Sequence, residues 1–334
     1  MGLCDFPMLT TQNKRLIWRS AFFLLFLLAP PLDLFRFDLT QNHFVFLRYP
    51  WTLGIDAFQS GDTDALGMVW NMFLRFFIPI GIIVGGGIFV SWKWGRLYCG
   101  WLCPHFSVVE TINALMRRAS GKLSLWDKKK LPERQQDGTT VKPNKKWWFV
   151  TAAAVLFFSF LWAVVLLTYL LPPKEIYGNL FSGHLTRNQF VFISVATVLL
   201  VVEFTLARHL FCRFGCAIGV FQSLVWMGNK KAMVVAFDRK RAKACADCDA
   251  SCEHACPMRL RPRGIKRHMF TCTQCMQCVE ACDNVQMSKN SYSLLKMLEN
   301  ECALDVSARD FGKKPDVPAG CFSLETTVGR KKDR

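Results

Sequence analysis

Four apolar stretches constrain the fold of this chain more than any other feature. Each is close to the roughly 20 residues that a helix needs to cross the hydrocarbon core of a bilayer. They cover residues 16–35, 67–89, 147–171 and 189–207. The 334-residue chain is also 51% hydrophobic with 29 Phe and 11 Trp, which is too apolar for an ordinary soluble domain. We therefore predict a mainly α fold with a polytopic four-helix transmembrane domain.

The basic residues predict how these helices are oriented. The formal net charge is +17, and the loop 90–146 is rich in Lys and Arg, whereas the loops after the first and third stretches hold few. By the positive-inside rule, both termini and the loop 90–146 are cytoplasmic, in a bacterial inner membrane. The charge thus follows membrane topology, and we expect a lipid bilayer and no nucleic acid as partner. No A-x-A-like cleavage site follows the first stretch, so we expect that helix to be retained.

Fifteen cysteines fix the expected chemistry, and eight of them lie between residues 245 and 282. In a reducing cytoplasm, such thiols are more suited to metal binding than to disulfides. They form a first group in "CADCDASCEHACP" and a second group in "CTQCMQCVEACD". The second group has the C-x2-C-x2-C-x3-C spacing of a bacterial two-cluster ferredoxin, in which the fourth cysteine ligates the other cluster. We therefore predict two [4Fe–4S] clusters with crossed ligands. The first is assigned to Cys245, Cys248, Cys252 and Cys282, and the second to Cys272, Cys275, Cys278 and Cys256.

These spacings divide the chain and leave one alternative. We expect a cytoplasmic N-terminus (1–15), a membrane domain (16–228), a ferredoxin-like α+β module (229–295, here the ferredoxin segment) and a cytoplasmic tail (296–334). The alternative is a pair of zinc sites, since C-x2-C pairs also bind zinc. The first group is one residue longer than the standard spacing, which a loop can absorb. Cys4, Cys302 and Cys321 are expected to be free thiols.

Two further cysteine pairs follow the second and fourth apolar stretches at the same predicted membrane surface. We call these four residues the edge cysteines: Cys99 and Cys103 in "CGWLCP", and Cys212 and Cys216 in "CRFGCA". Their matching positions suggest a duplicated two-helix unit. Residues i and i+4 share one face of a helix, so each pair can present two sulfurs to one acceptor. Copper as Cu(I), an additional Fe–S cluster, a redox dithiol and inert buried thiols all remain open.

The combined pattern resembles the membrane polyferredoxin family. Four helices, two C-x3-C motifs at helix ends and a two-cluster segment carry this resemblance over residues 45 to 290. The wording of "YPWTLGIDAF" and "GRLYCGWLCP" is similar to that of CcoG-type cytochrome-oxidase assembly proteins, and the architecture also resembles NapH-type proteins of nitrate reduction. The resemblance implies that electrons serve a larger redox or assembly system.

Several single residues are weaker candidates. Arg75 is expected to reach the outer interface, and Glu203 to form an ion pair with Arg208. His105 and His209 could bind a metal or a quinone. Gly81 and Gly85 are spaced for close helix packing.

No phosphate-binding loop, catalytic triad or nicotinamide fingerprint is present in the sequence, so we expect an electron-transfer subunit rather than a self-contained enzyme. It would relay electrons between the membrane, through a quinone pool or a metal site, and a redox protein partner. A copper-reducing assembly factor for a respiratory oxidase and a redox-sensing scaffold are the alternatives.

Overall fold

The computed structural model describes residues 10–307 and 320–321 of the chain. This part of the chain is mainly helical, with five short strands. The helices are α1 (Thr11–Leu28), α2 (Ile55–Gln59), α3 (Ala65–Met72), α4 (Ile78–Trp94), α5 (Leu97–Trp101), α6 (Pro104–Ser120), α7 (Trp147–Thr168), α8 (Pro173–Ser182), α9 (Arg187–Val202), α10 (Ala217–Gly228), α11 (Ser251–His254), α12 (Gln277–Ser288) and α13 (Leu304–Ser307). The strands are β1 (Phe35–Asp38), β2 (His43–Phe46), β3 (Tyr49–Trp51), β4 (Val234–Phe237) and β5 (Leu295–Leu298).

Three helices among the described residues are long and apolar enough to cross a membrane. They are Ala65–Trp94, Trp147–Thr168 and Arg187–Ala207. The first contains α3 and α4 joined by a π-helical turn at Phe73–Phe77, and the third extends α9 through a π-helical turn at Glu203–Ala207. These helices coincide with the last three predicted stretches.

The first predicted stretch, residues 16–35, is not one helix. α1 begins at Thr11 and ends at Leu28, and Phe35 already lies in β1. Pro30 and Pro31 follow the end of α1, and proline has no N–H group to continue a helix. α1 is also more charged than the three apolar helices, so length and composition do not place it among the membrane-spanning ones.

A three-stranded sheet lies at one end of the helices. β2 pairs antiparallel with both β1 and β3. The Phe37 N–H group donates to the Tyr169 carbonyl at 2.9 Å, and the Leu39 N–H group donates to the Leu170 carbonyl at 3.0 Å. The chain that leaves α1 is thereby attached to the end of α7.

The helices pack as a layered bundle in which α7 contacts both α6 and α9, while α1 packs on α6 and α10 packs on α4. Val109, Ile112 and Phe204 are fully buried at its centre. α4 lies at the side of this bundle. A Cβ atom at Gly81 or Gly85 would meet no atom of the described chain within 4 Å. Within the described residues, the prediction of close helix packing at these glycines is therefore wrong.

The ferredoxin segment lies at the end of the bundle opposite the three-stranded sheet. β4 pairs antiparallel with β5, and α11 packs against α12. The Met233 N–H group donates to the Lys93 carbonyl at the end of α4 at 2.9 Å. The basic loop reaches the same region, because Arg259 and Asp127 form an ion pair at 2.7 Å.

The expectation of free thiols at Cys302 and Cys321 is wrong. The two residues form a disulfide, with their Cα atoms 5.5 Å apart. Cys302 packs against the core next to the ferredoxin segment, so the bond attaches residue 321 to that core. Sequence spacing did not indicate this contact, because the fold brings together two positions 19 residues apart. Cys4 lies outside the described residues.

Candidate metal centres

The eight cysteines of the ferredoxin segment line two separate cavities. The first cysteine cavity is lined by Cys245, Cys248, Cys252 and Cys282. The second cysteine cavity is lined by Cys256, Cys272, Cys275 and Cys278. Each cavity thus takes three cysteines from one group and one from the other.

Local backbone geometry turns these cysteines inward. Gln274 and Met276, which alternate with the cysteines of the second group, have positive φ angles of 55° and 61°. Left-handed residues between right-handed ones curve a short loop and aim successive N–H groups into a concavity that suits an anionic group. α12 then begins at Gln277 and carries Cys278 and Cys282 on its first turns. This loop and the first turns of α12 therefore supply ligands to both cavities.

Apolar walls surround the thiols. Met258, Leu260 and Met269 line the second cavity, and Val285 and Leu295 line the first. Burial raises the pKa of Cys252 and of Cys256 to about 12. Because the thiolate is the metal-binding form, cofactor binding in these cavities must release protons.

The spacing of donor groups favours a cluster over a single ion. In the part of the chain that the structure describes, no three His, Cys, Asp or Glu side chains are placed to hold one metal ion. A single zinc ion needs its sulfurs within about 2.3 Å of the metal, whereas the four thiolates of a cubane bind different irons and stand farther apart. The donor sets of both cavities therefore fit [4Fe–4S] clusters better than the zinc alternative.

The edge cysteines lie at helix starts. Cys99 lies in α5, and Cys103 is the N-cap residue of α6, which begins with Pro104. Cys212 lies in a π-helical turn (Phe211–Gly215), and Cys216 is the N-cap residue of α10. The prediction that each pair shares a face of one helix is therefore wrong, since each pair bridges two helical segments.

The edge cysteines nevertheless converge. Burial is the main cause that raises the pKa of the Cys212 thiol, and Cys103, Cys99 and Cys216 are close enough to raise it further, so the two pairs lie near each other. Burial is the main cause that raises the pKa of Cys103 to about 11, and N–H groups at the start of α6 partly oppose it. The Cys99 Sγ atom donates to Gln222 Oε1 at 3.2 Å. Two distant parts of the chain thus form a third buried sulfur site.

The segment that carries Cys99 packs against the loop that lines the second cysteine cavity. A Cβ atom at Gly100 would lie 2.1 Å from the Thr273 carbonyl oxygen, so the two backbones touch. Trp101 Nε1 donates to the Gln274 carbonyl at 3.1 Å. Residues next to Cys99 therefore pack on residues next to Cys272 and Cys275.

A buried ionic network supports this contact. Glu110 of α6 pairs with Arg15 at 2.6 Å and with Arg19 at 2.8 Å, and it accepts from Gln277 Nε2 at 2.5 Å. The Arg15 Nε group donates to the Gly100 carbonyl at 2.7 Å. α1, α6 and α12 are joined through this one carboxylate. Sequence reasoning did not single out Glu110, because its partners are distant in the chain.

The weaker candidates lie in different places. Glu203 pairs with His105 at 2.8 Å and not with Arg208, so the predicted ion pair is wrong. His105 lies in an aromatic setting, with ring centroids of Phe204 and Phe211 at 5.3 Å and 5.4 Å.

His209 and Arg75 lie in two different environments. Burial and neighbouring arginines lower the pKa of His209 to about 4, so this ring is neutral near pH 7. Arg75 is exposed beside the three-stranded sheet, where its Nη1 group donates to the Thr52 carbonyl at 3.3 Å.

Comparisons with known proteins agree with a redox chemistry of this kind. The family described as a 4Fe-4S binding domain matches residues 76–122 and 188–233. Each matched region contains one pair of edge cysteines, which supports the predicted duplication. Neither region reaches the eight cysteines of the ferredoxin segment.

Two relatives share about a quarter of their aligned residues with the chain. YccM of Escherichia coli (strain K12), whose name proposes a role in electron transport, is 25% identical over 228 residues, 66% of this chain and 57% of YccM. MJ0750 of Methanocaldococcus jannaschii is 25% identical over 195 residues, 58% of this chain and 71% of MJ0750. No solved structure matches the chain. The comparisons support iron–sulfur electron transfer.

Proposed function

We propose that the chain is an integral membrane iron–sulfur protein that relays electrons through two [4Fe–4S] clusters in the ferredoxin segment. The observation that carries this proposal is the separation of eight cysteines into two cavities with crossed membership. This is the arrangement that a two-cluster ferredoxin requires. When bound, such clusters accept and return single electrons. The chain's own residues supply the thiolates, exclude water with apolar walls and hold the cavities close to the membrane helices.

The edge cysteines are the proposed entry or exit point for electrons, as holders of a further Fe–S cluster. Support comes from their convergence and from the 4Fe-4S family matches, each of which contains one pair. The backbone contact between Gly100 and Thr273 places this site beside the second cysteine cavity. Electrons would therefore pass between the edge site and the first cysteine cavity by way of the second.

The membrane helices give this relay its expected surroundings. We propose a location in a bacterial inner membrane, with the ferredoxin segment in the cytoplasm and the bilayer as a partner. A quinone pool on one side of the relay and a redox protein on the other would complete it. As part of the same proposal, the chain is a member of a CcoG-type or NapH-type group and serves the redox or assembly system of that group.

Metal and sulfide analysis with EPR on anaerobically purified protein tests the proposal. The wild type is compared with a variant in which Cys99, Cys103, Cys212 and Cys216 are all changed to Ser. We expect three clusters in the wild type and two in the variant, with the signals of the ferredoxin segment unchanged.

Other outcomes discriminate the alternatives. If the wild type contains copper and the variant does not, the edge cysteines form a copper site and not a cluster site. Equal iron and sulfide in both proteins would reduce the edge cysteines to a dithiol or a structural role. An absence of iron from the ferredoxin segment would overturn the proposal as a whole.

A further inference from the structure

Arg96 is a buried cation that connects the two pairs of edge cysteines. It follows α4, directly before α5, and only 1% of its surface is exposed. Its Nη2 group donates to the Cys212 carbonyl at 2.6 Å, so it reaches from the first edge pair to the second. The Nε and Nη1 groups have no hydrogen-bond partner in the described part of the chain.

Arg96 lies between the two pairs of edge cysteines. It stands three residues before Cys99 in the chain, and its Nη2 group contacts the backbone of Cys212. No carboxylate within the described residues forms an ion pair with Arg96. A buried guanidinium with two unpartnered N–H groups offers both charge and hydrogen-bond donors to an anionic group at this position.

The fold keeps a space for this guanidinium. A Cβ atom at Gly219 of α10 would lie 2.2 Å from Arg96 Nη2. Any larger residue at position 219 would therefore displace the side chain. The region after α4 provides the Arg96 side chain. The region after α9 provides the Cys212 carbonyl that accepts from it and the Gly219 position that leaves room for it.

We propose that Arg96 is the buried counter-ion of an anionic cofactor held by the edge cysteines, and that it raises the reduction potential of that cofactor. The inference rests on the proposed function, because it requires a cofactor at the edge. A cluster with four thiolates is anionic, and reduction by one electron adds one negative charge. A fixed positive charge stabilises the reduced form more than the oxidised form, so removal of the charge lowers the potential.

Arg208 provides a matched control from the second half of the chain. It is also 1% exposed, but it donates to Asn113 Oδ1 at 3.0 Å and to Ser124 Oγ at 3.2 Å. The charges that act on it belong to Arg259 and Asp127, and not to the edge cysteines. Arg208→Gln thus removes an equally buried arginine whose hydrogen bonds go to Asn113, Met116 and Ser124 and not to the edge cysteines.

The test is a redox titration followed by EPR on Arg96→Gln, Arg96→Lys and Arg208→Gln, with iron and sulfide determined on each protein. In Arg96→Gln, we expect the reduction equilibrium of the edge cofactor to shift at least tenfold toward the oxidised form, which is about 59 mV for one electron. The second cysteine cavity is expected to shift less and the first not measurably. Arg96→Lys and Arg208→Gln are expected to retain the wild-type potential of the edge cofactor.

Each result has one meaning. An unchanged edge potential in Arg96→Gln, or an equal shift in Arg208→Gln, overturns the role of Arg96. Arg96→Gln could also lose the edge cofactor altogether. If Arg96→Lys and Arg208→Gln then keep the cofactor, the result supports Arg96 as a counter-ion. If all three variants lose the cofactor, that role is overturned. A wild type without an edge cofactor overturns the role of Arg96 and the proposed edge cluster, whereas the two-cluster relay of the ferredoxin segment is tested separately by its own iron. This outcome is recognised before any variant is made.

Discussion

The ferredoxin segment and the edge cysteines collect sulfur atoms in opposite ways. The ferredoxin segment places eight cysteines within residues 245–282, and short loops with left-handed residues aim them into two cavities. The edge site takes two cysteines from each of two helix junctions more than 100 residues apart, with cross-contacts such as Arg96 to Cys212. The comparison teaches that one site depends on local loop geometry and the other on the packing of helices.

The largest expected effect comes from Cys282→Ser, which tests the crossed ligands of the ferredoxin segment. Cys282 belongs to the second group in sequence but lines the first cavity. The variant is therefore expected to lose the same EPR signal as Cys248→Ser and to keep the signal that Cys278→Ser abolishes. Iron and sulfide analysis gives the number of clusters left. If Cys282→Ser instead matches Cys278→Ser, the crossed assignment is wrong.

Glu110→Gln is expected to weaken both regions, because this carboxylate joins them. The change leaves the buried Arg15 side chain, 2% exposed, without its ion-pair partner. Removing one partner of a buried pair costs about 3 kcal/mol of unfolding free energy. The measurement is thermal unfolding in detergent, followed by loss of cluster absorbance.

Glu301→Gln is the control for Glu110→Gln. Glu301 pairs with Lys231, and both side chains are about half exposed, at 51% and 56%. Such surface pairs contribute less than about 1 kcal/mol. Equal destabilisation by the two substitutions would contradict a linking role for Glu110.

Gly100→Ala is expected to separate the two regions while leaving each intact. The added Cβ atom would lie 2.1 Å from the Thr273 carbonyl oxygen, and overpacking of this kind costs about 2 kcal/mol. We expect all iron to be retained and the magnetic coupling between the edge cofactor and its neighbour to decrease in the EPR spectrum. Gly228→Ala, where a Cβ atom meets nothing within 4 Å, is the matched helical control. Coupling that is identical in the two variants would show that the contact does not set the separation.

Gln222→Leu is expected to have the smallest effect, confined to the edge cysteines. Gln222 is buried and forms a hydrogen bond with Cys99. A cofactor-bound thiolate has no proton to donate, so Gln222 would instead turn its Nε2 group toward the sulfur atom. The loss of that bond is worth about 1 kcal/mol, which corresponds to about 40 mV for a one-electron couple. The edge potential is expected to fall by this amount, and those of the ferredoxin segment to remain constant. A fall in all potentials would indicate a general structural change.

Sequence spacing predicted how the cysteines of the ferredoxin segment are grouped, and it predicted the distant contacts poorly. The crossed membership of the two cavities follows from ligand spacing, because neighbouring residues determine the loop. Three apolar helices also follow from composition alone. The end of α1 at Leu28, the partner of Glu203 and the Cys302–Cys321 bond do not, because each depends on which distant segments meet. In the sequence, nothing distinguishes Arg96 from the other basic residues of the loop 90–146. Its role is indicated only by its burial in the structure.

The contacts between the two matched regions cross over: Arg96 of the first donates to Cys212 of the second, and Arg208 of the second donates to Asn113 of the first. Each half therefore completes the other. Neither matched region could build the sulfur site alone, so a separated half of this chain would need a second half beside it to bring four sulfur atoms together.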